Sequence, residues 1–282
     1  MLNLRLPGAL LVVCALTLFG TGCQKLKSRD NINKGVLAFK NQKYNDAALF
    51  FQQAADLDPE SPNARVYLAT SYMMQWIPGA ESAANLEFVK KARDEFKRVL
   101  EKNASDTNSL ASLASLAYNE AAALPPDEKT VKLEEAASWY NKVIAADANN
   151  RDAYYSLGAI AQKKFYPALM TARVNMNMKP EEPGPLKDKK VRDALKAQYG
   201  PILEEGIAKL QKSLEIDQEY DDAMAYMNLL VRERADLVDD KDAYKAQIEE
   251  ADKWLQKALD TKKIKQERME KKAGGGIVNE SK

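Results

Sequence analysis

The 282-residue sequence has no histidine and only two cysteines, Cys14 and Cys23. Without histidine a Ser-His-Asp triad and any Cys-His pair are excluded, as are zinc sites built on imidazole. No glycine-rich loop precedes a helix to cradle a phosphate, and the glycine run Gly274-Gly275-Gly276 lies in a polar stretch. Carboxylates do come in pairs, at Glu134-Glu135, Glu204-Glu205, Asp221-Asp222, Asp239-Asp240 and Glu249-Glu250. Neighbours on a helix point about 100° apart, so such pairs read as solvated faces and do not converge on one substrate. No residue set is left for a metal, a cofactor or catalysis. The expectation is a non-enzymatic chain.

The first 22 residues differ from the rest. Arg5 precedes the apolar run Leu10-Leu11-Val12-Val13-Cys14-Ala15-Leu16-Thr17-Leu18-Phe19, then Gly20-Thr21-Gly22-Cys23, with polarity setting in at Gln24-Lys25. Positive charge, apolar run and small residues, in that order, make a secretory leader. The run is too short for a membrane span of about 20 residues. Gly-Thr-Gly-Cys at its end resembles the lipobox of bacterial lipoproteins, although Gly20 stands where that family usually has leucine. The resemblance implies cleavage before Cys23 and a lipid on its thiol. Gln24 in place of aspartate implies the periplasmic face of the outer membrane. An ordinary signal-peptidase site, giving a soluble periplasmic protein, is the alternative. Losing residues 1–22 removes Arg5 and Cys14 and leaves 41 basic against 41 acidic side chains. With one cysteine remaining there is no internal disulfide, and stability must come from packing.

From residue 28 onward helical spacing repeats. Small residues stand at Ala47, Ala92, Ala136, Gly206 and Ala251, each followed four residues later by a large one, Phe51, Phe96, Tyr140, Leu210 and Leu255. Three further on come Ala54, Val99, Val143, Ser213 and Ala258. The preceding helices carry small residues at Gly35, Ala69, Ala114 and Gly158, with Asn228 in the fifth. Small residues belong where two helix axes approach closely. This pattern resembles the tetratricopeptide repeat (TPR), and the resemblance covers residues 28–262. It implies an all-α, TPR-like helical solenoid of five helix-pair repeats, each a helix A followed by a helix B. The expected organisation is a leader at 1–22, a short lipidated tether at 23–27, the solenoid at 28–262 and a basic, disordered tail at 263–282.

Spacings between successive helix-B small positions are 45, 44, 70 and 45 residues, longer than the 34 of a standard TPR. The surplus falls between helices A and B, above all in about 163–200, where an extra short helix is expected near 186–198. Insertions of this kind project from one edge and offer Trp76, Phe165, Tyr166 and Met170 as a surface. The alternative is that Trp76 packs against the next repeat and that a lengthened helix packs Phe165, Met170, Met176 and Met178 on its neighbours. In TPR proteins, ligands lie along positions 2, 5, 9, 12 and 13 of helix A. That rule selects Asn63, Val66, Thr70, Met73 and Met74, then Asn108, Ala111, Ser115, Tyr118 and Asn119, then Asp152, Tyr155, Ala159, Gln162 and Lys163. Such polar faces with tyrosine and methionine suit an extended peptide or a partner helix. Ile32 and Val36 replace the lysine and asparagine of carboxylate-clamp TPR domains, so that ligand class is not expected.

The resemblance therefore implies a membrane-tethered scaffold or adaptor in a bacterial envelope complex, of the kind that serves outer-membrane or pilus-secretin assembly. The alternative is a regulatory or targeting subunit of an envelope protease or peptidoglycan hydrolase. Partners are other envelope proteins or peptides, and the membrane through the lipid, but not nucleic acid or metal.

Overall fold

The structure is a computed structural model describing residues 8–179 and 182–274, with side chains from residue 22 to 272. Among the described residues there are ten α-helices, one short 3-10 turn and no strand. They are α1 (Gly8–Lys40), α2 (Tyr44–Leu57), α3 (Pro62–Met73), α4 (Ala83–Lys102), α5 (Thr107–Glu120), α6 (Pro126–Ala146), α7 (Arg151–Asn175), α8 (Lys189–Ile216), α9 (Asp221–Ala235) and α10 (Lys241–Gly274). The chain divides into two compact units, Met1–Lys129 and Thr130–Lys282, the boundary falling inside α6.

In the first unit α1 packs on α2, α2 on α3, α3 on α4, and α4 on α5. Helix α2 buries Ala47, Ala48, Phe51, Ala54 and Ala55, the spacing of a single helical stripe. The stripe can sit close to α1 because a Cβ at Gly35 would lie 2.5 Å from the Phe51 ring. Helix starts are fixed by side-chain caps: Ser82 accepts from Asn85 N–H, and Asp106 from Ser109 N–H. Each such cap contributes about 1 kcal/mol.

In the second unit α7 packs on α8, α8 on α9, and α9 on α10. Gly158 faces Leu210 and Gly206 faces Ala161, where a Cβ would come within 2.4 Å and 2.5 Å of those side chains. Between α7 and α8 lies the long insertion, and here the structure corrects the sequence reading. No separate short helix forms at 186–198; that stretch is mostly the first part of α8, which runs on through Pro201. Helix α7 likewise runs through Pro167 to Asn175. A helical proline forfeits one backbone bond but tolerates a bend when the flanking residues still pack, and Leu203 and Leu210 beyond Pro201 are fully buried.

The connector between α7 and α8 is held by one buried side chain. Arg173 donates from Nη1 to Asp236 Oδ2 at 2.7 Å, from Nε to the Lys179 carbonyl at 3.3 Å, and to the Glu182 carbonyl. The Leu186 N–H reaches the Asp236 carbonyl at 3.0 Å, and Gly184 N–H the Tyr244 hydroxyl at 2.7 Å. Phe165, Leu169, Met178 and Leu186 join Leu203, Met224 and Leu230 in one core. Thus Phe165 is a fully buried core residue on a lengthened α7, the packed alternative and not the insertion surface.

Both ends of the array are more helical than expected. Residues 23–27, expected as a short tether, are helical and part of α1. Residues 263–274, expected in a disordered tail, continue α10. Lys265 pairs with Asp221, and Arg268 with Glu219 at 2.7 Å, fastening this extension to the start of α9. The rest of the expected tail, 275–282, lies outside the described residues, as does most of the leader's side-chain structure.

Candidate protein-interaction faces

On α3, Asn63 and Met74 are exposed while Val66, Thr70 and Met73 are half-buried. The Thr70 hydroxyl is turned inward, donating to the Val66 carbonyl at 2.8 Å. On α5, which packs beside α3 and α4, Asn108 is exposed and Ala111, Ser115, Tyr118 and Asn119 are half-buried. Asn119 donates to Ser115 Oγ at 3.3 Å. These residues form a polar face with a few thioether and aromatic groups. The flanking ion pairs, Arg65 with Glu95 at 2.9 Å and Arg93 with Glu120 at 2.5 Å, fix neighbouring helices.

Trp76 does not form an exposed surface. It is 9% exposed, and the loop after it is clamped by the buried Asn85. Asn85 accepts from Ile77 N–H at 2.7 Å and donates to the Ile77 and Ala80 carbonyls at 2.8 Å each. Gly79 takes the turn with φ of +81°, a conformation that favours glycine. Ile77, the next residue, is the exposed apolar residue here, at 65%. Of the other insertion residues, Tyr166 is exposed and Met170 half-buried against the core.

The second unit assembles the most aromatic face. Tyr155 of α7 lies 5.2 Å from Tyr220 and 5.3 Å from Tyr226, ring centre to ring centre, the latter edge-on. All three are half-buried. Arg151 stacks over Tyr220 at 4.6 Å. Burial first, and the Asp152 carboxylate beside it, push the Tyr220 phenol upward; burial and Tyr226 do the same for Tyr155. Both rings are therefore neutral hydroxyl donors. Asp152 and Lys163 are exposed at the two ends of this face, and Ala159 is buried between them.

Gln162 extends the face toward α9, donating to Glu233 Oε1 at 2.8 Å. The other Glu233 oxygen is buried without a hydrogen-bond partner. Burial, with Asp236 nearby, pushes this carboxyl up to about 8 although the Gln162 bond opposes it. Tyr220, Tyr226, Leu229 and Glu233 were not among the residues selected from sequence. Carrying the helix-A positions into α9 gives Asp222, Ala225, Leu229, Arg232 and Glu233, which reaches two of the four. Tyr220 and Tyr226 carry no signal in that rule.

Solved structures of MamA match the chain. One, MamA MSR-1, aligns at 14% identity over 86% of this chain and 98% of that one, with a TM-score of 0.49. MamA from Desulfovibrio magneticus RS-1 aligns at 16% over 84% and 96%, with a TM-score of 0.47. Identities at this level concern the fold alone. No family model matches the chain, nor does any curated protein.

Proposed function

We propose that this chain is a non-enzymatic scaffold or adaptor that binds protein partners, held at a bacterial membrane by a lipid on Cys23. The observation that carries the binding role is the face of Tyr155, Tyr220 and Tyr226 on α7 and α9. Tyrosine gives large contact area at little entropic cost, and its hydroxyl reaches polar groups of a peptide. Leu229, 39% exposed beside it, supplies an apolar contact. The lipid anchor is supported by the leader-like order of the first 22 residues and by the exposure of Cys23 on α1. Among the described residues no helix is long and apolar enough to cross a membrane. The envelope, and the periplasmic face of the outer membrane, follow from the lipobox resemblance and Gln24.

The test is a photoreactive amino acid placed at Tyr155 or Met73 in cells, with exposed Lys212 on α8 as the control site. Partner proteins joined at the first two positions and not at the control are expected. Equal labelling at all three sites would remove the helix-A faces from the binding role. Mass spectrometry of the mature N-terminus tests the anchor: acylated Cys23 in the wild type, and no lipid-modified chain in Cys23→Ser.

A further inference from the structure

The tyrosine face of the second unit carries two exposed carboxylates at one end. Tyr155 of α7 meets Tyr226 of α9, and seven residues on Gln162 bonds Glu233, so the two helices run side by side in one direction. Asp152 and Asp222 stand in the first turn of α7 and of α9, and both are exposed. Burial raises the Tyr220 phenol, and Asp152 and Asp222 both add to the rise. Burial also raises Tyr155, with Asp222 again adding to it. Both carboxylates therefore stand close to the ring hydroxyls.

The cations around this end are committed elsewhere. Arg151 pairs with Asp217 and comes only within 3.6 Å of Asp152. Asp221 points about 100° away from Asp222; it takes Lys265 and has Lys262 nearby. Glu219 takes Arg268, and Arg232 takes Asp252. Lys163 stands eleven residues beyond Asp152, about 16 Å along α7. Asp222 has no ion pair among the described residues. The amino-terminal dipoles of α7 and α9, each equivalent to about half a positive charge, do not balance two carboxylates. Excess negative charge beside half-buried aromatic rings favours a cation. The fold already uses that chemistry once: Arg151 lies 4.6 Å over the Tyr220 ring while paired with Asp217.

We propose that this end of the face seats a basic side chain of the partner protein, an arginine or a lysine, against the tyrosine rings and beside the Asp152 and Asp222 carboxylates. The inference rests on the reading of the chain as a protein binder and names what that face recognises. Charge complementarity of this kind selects partners as much as it holds them.

The experiment titrates the chain of residues 23–282, carrying Cys23→Ser and carbon-13 in its tyrosine rings, with acetyl-Gly-Ala-Arg-Ala-Gly-amide. The comparison peptide carries citrulline, which has the shape of arginine without its charge. Ring signals of Tyr155, Tyr220 and Tyr226 should move saturably with the arginine peptide, and the citrulline peptide should bind about tenfold more weakly. Asp152→Asn with Asp222→Asn should weaken arginine-peptide binding by about tenfold. Glu267→Gln with Glu270→Gln on α10, the same change in charge, should not. Absence of a saturable shift, equal binding of the citrulline peptide, or an equal loss in the α10 variant overturns the proposal. The two readings fail separately. Proteins crosslinked through Tyr155 in cells, without arginine-dependent shifts, leave the binding face in place and remove only the basic residue. Arginine-dependent shifts without crosslinked protein keep the cation site and remove the protein partner.

Discussion

Gly158 and Leu210 meet as they do because one has no side chain. A Cβ at Gly158 would sit 2.4 Å from Leu210 Cγ and 2.6 Å from Cδ2, inside any real contact. Gly158→Ala should therefore force α7 and α8 apart or turn Leu210 off its rotamer, at about 1–3 kcal/mol. The helix gains about 0.5–1 kcal/mol from losing a glycine, so urea unfolding should show a net loss of about 1–2 kcal/mol. This contact was legible in the sequence, because a small residue in helix A opposite a large one in helix B is a pattern of volumes. Asn228 was legible only as an exception; its Nδ2 donates to the Ala251 carbonyl at 2.7 Å and so remains near its partner helix. Glu233 was not legible, since nothing in a heptad of charged and apolar residues marks which carboxyl will be covered. Its folded carboxyl keeps its proton to about pH 8, while an unfolded glutamate releases it near 4.5. The folded state then binds the extra proton between those values, so stability falls as pH rises across that window. Glu233→Gln keeps the Gln162 partner and cannot ionise. It should flatten the pH profile and leave the protein more stable at pH 9 by on the order of 2–4 kcal/mol, read from urea midpoints at pH 5 and pH 9.

At the scale of elements, the helix pairs followed from spacing, whereas helix ends did not. The stretch at 186–198 is expected as a short helix of its own, yet from Lys189 it belongs to α8, which the packing of Leu203 and Leu210 carries through Pro201. Lys265 and Arg268 read as tail charges, and their partners Asp221 and Glu219 lie more than 40 residues away, beyond any local pattern. Arg173 is the sharpest case, a cation that sequence would leave in solvent and that the fold makes 97% buried (3% exposed) at the hub of the connector. Arg173→Met should remove the fastenings of 179–182 and strand Asp236, 12% exposed, without its cation. Breaking such a buried pair costs about 3–5 kcal/mol. Hydrogen exchange should show residues 176–179 and 182–188 losing protection first, and Arg173→Met with Asp236→Leu should recover part of the loss.

At the scale of the whole molecule the solenoid of helix pairs is legible in the sequence, and its residues group further into two compact units that part within α6. Spacing cannot show this, because helix-B positions at Ala92, Ala136 and Gly206 look alike whether or not neighbouring helices press closely. The second unit has Phe165, Leu186, Leu203 and Met224 in one cluster fed by the long insertion, and the first packs Phe51 with Leu68 and buries Phe96, Leu110 and Leu116. In a helical array each pair contacts chiefly its neighbours, so stability is distributed and not shared equally. Gly206→Ala tests this at full scale. Its Cβ would lie 2.5 Å from Ala161 Cβ and 3.1 Å from Leu230 Cδ1, loading strain onto α7, α8 and α9 together. In native-state hydrogen exchange at moderate urea, amides of those three helices should lose protection in step. Amides of α2, α3 and α4 should exchange as in the wild type. Equal loss across both groups would mean that the two units unfold as one, and that the division within α6 has no energetic counterpart.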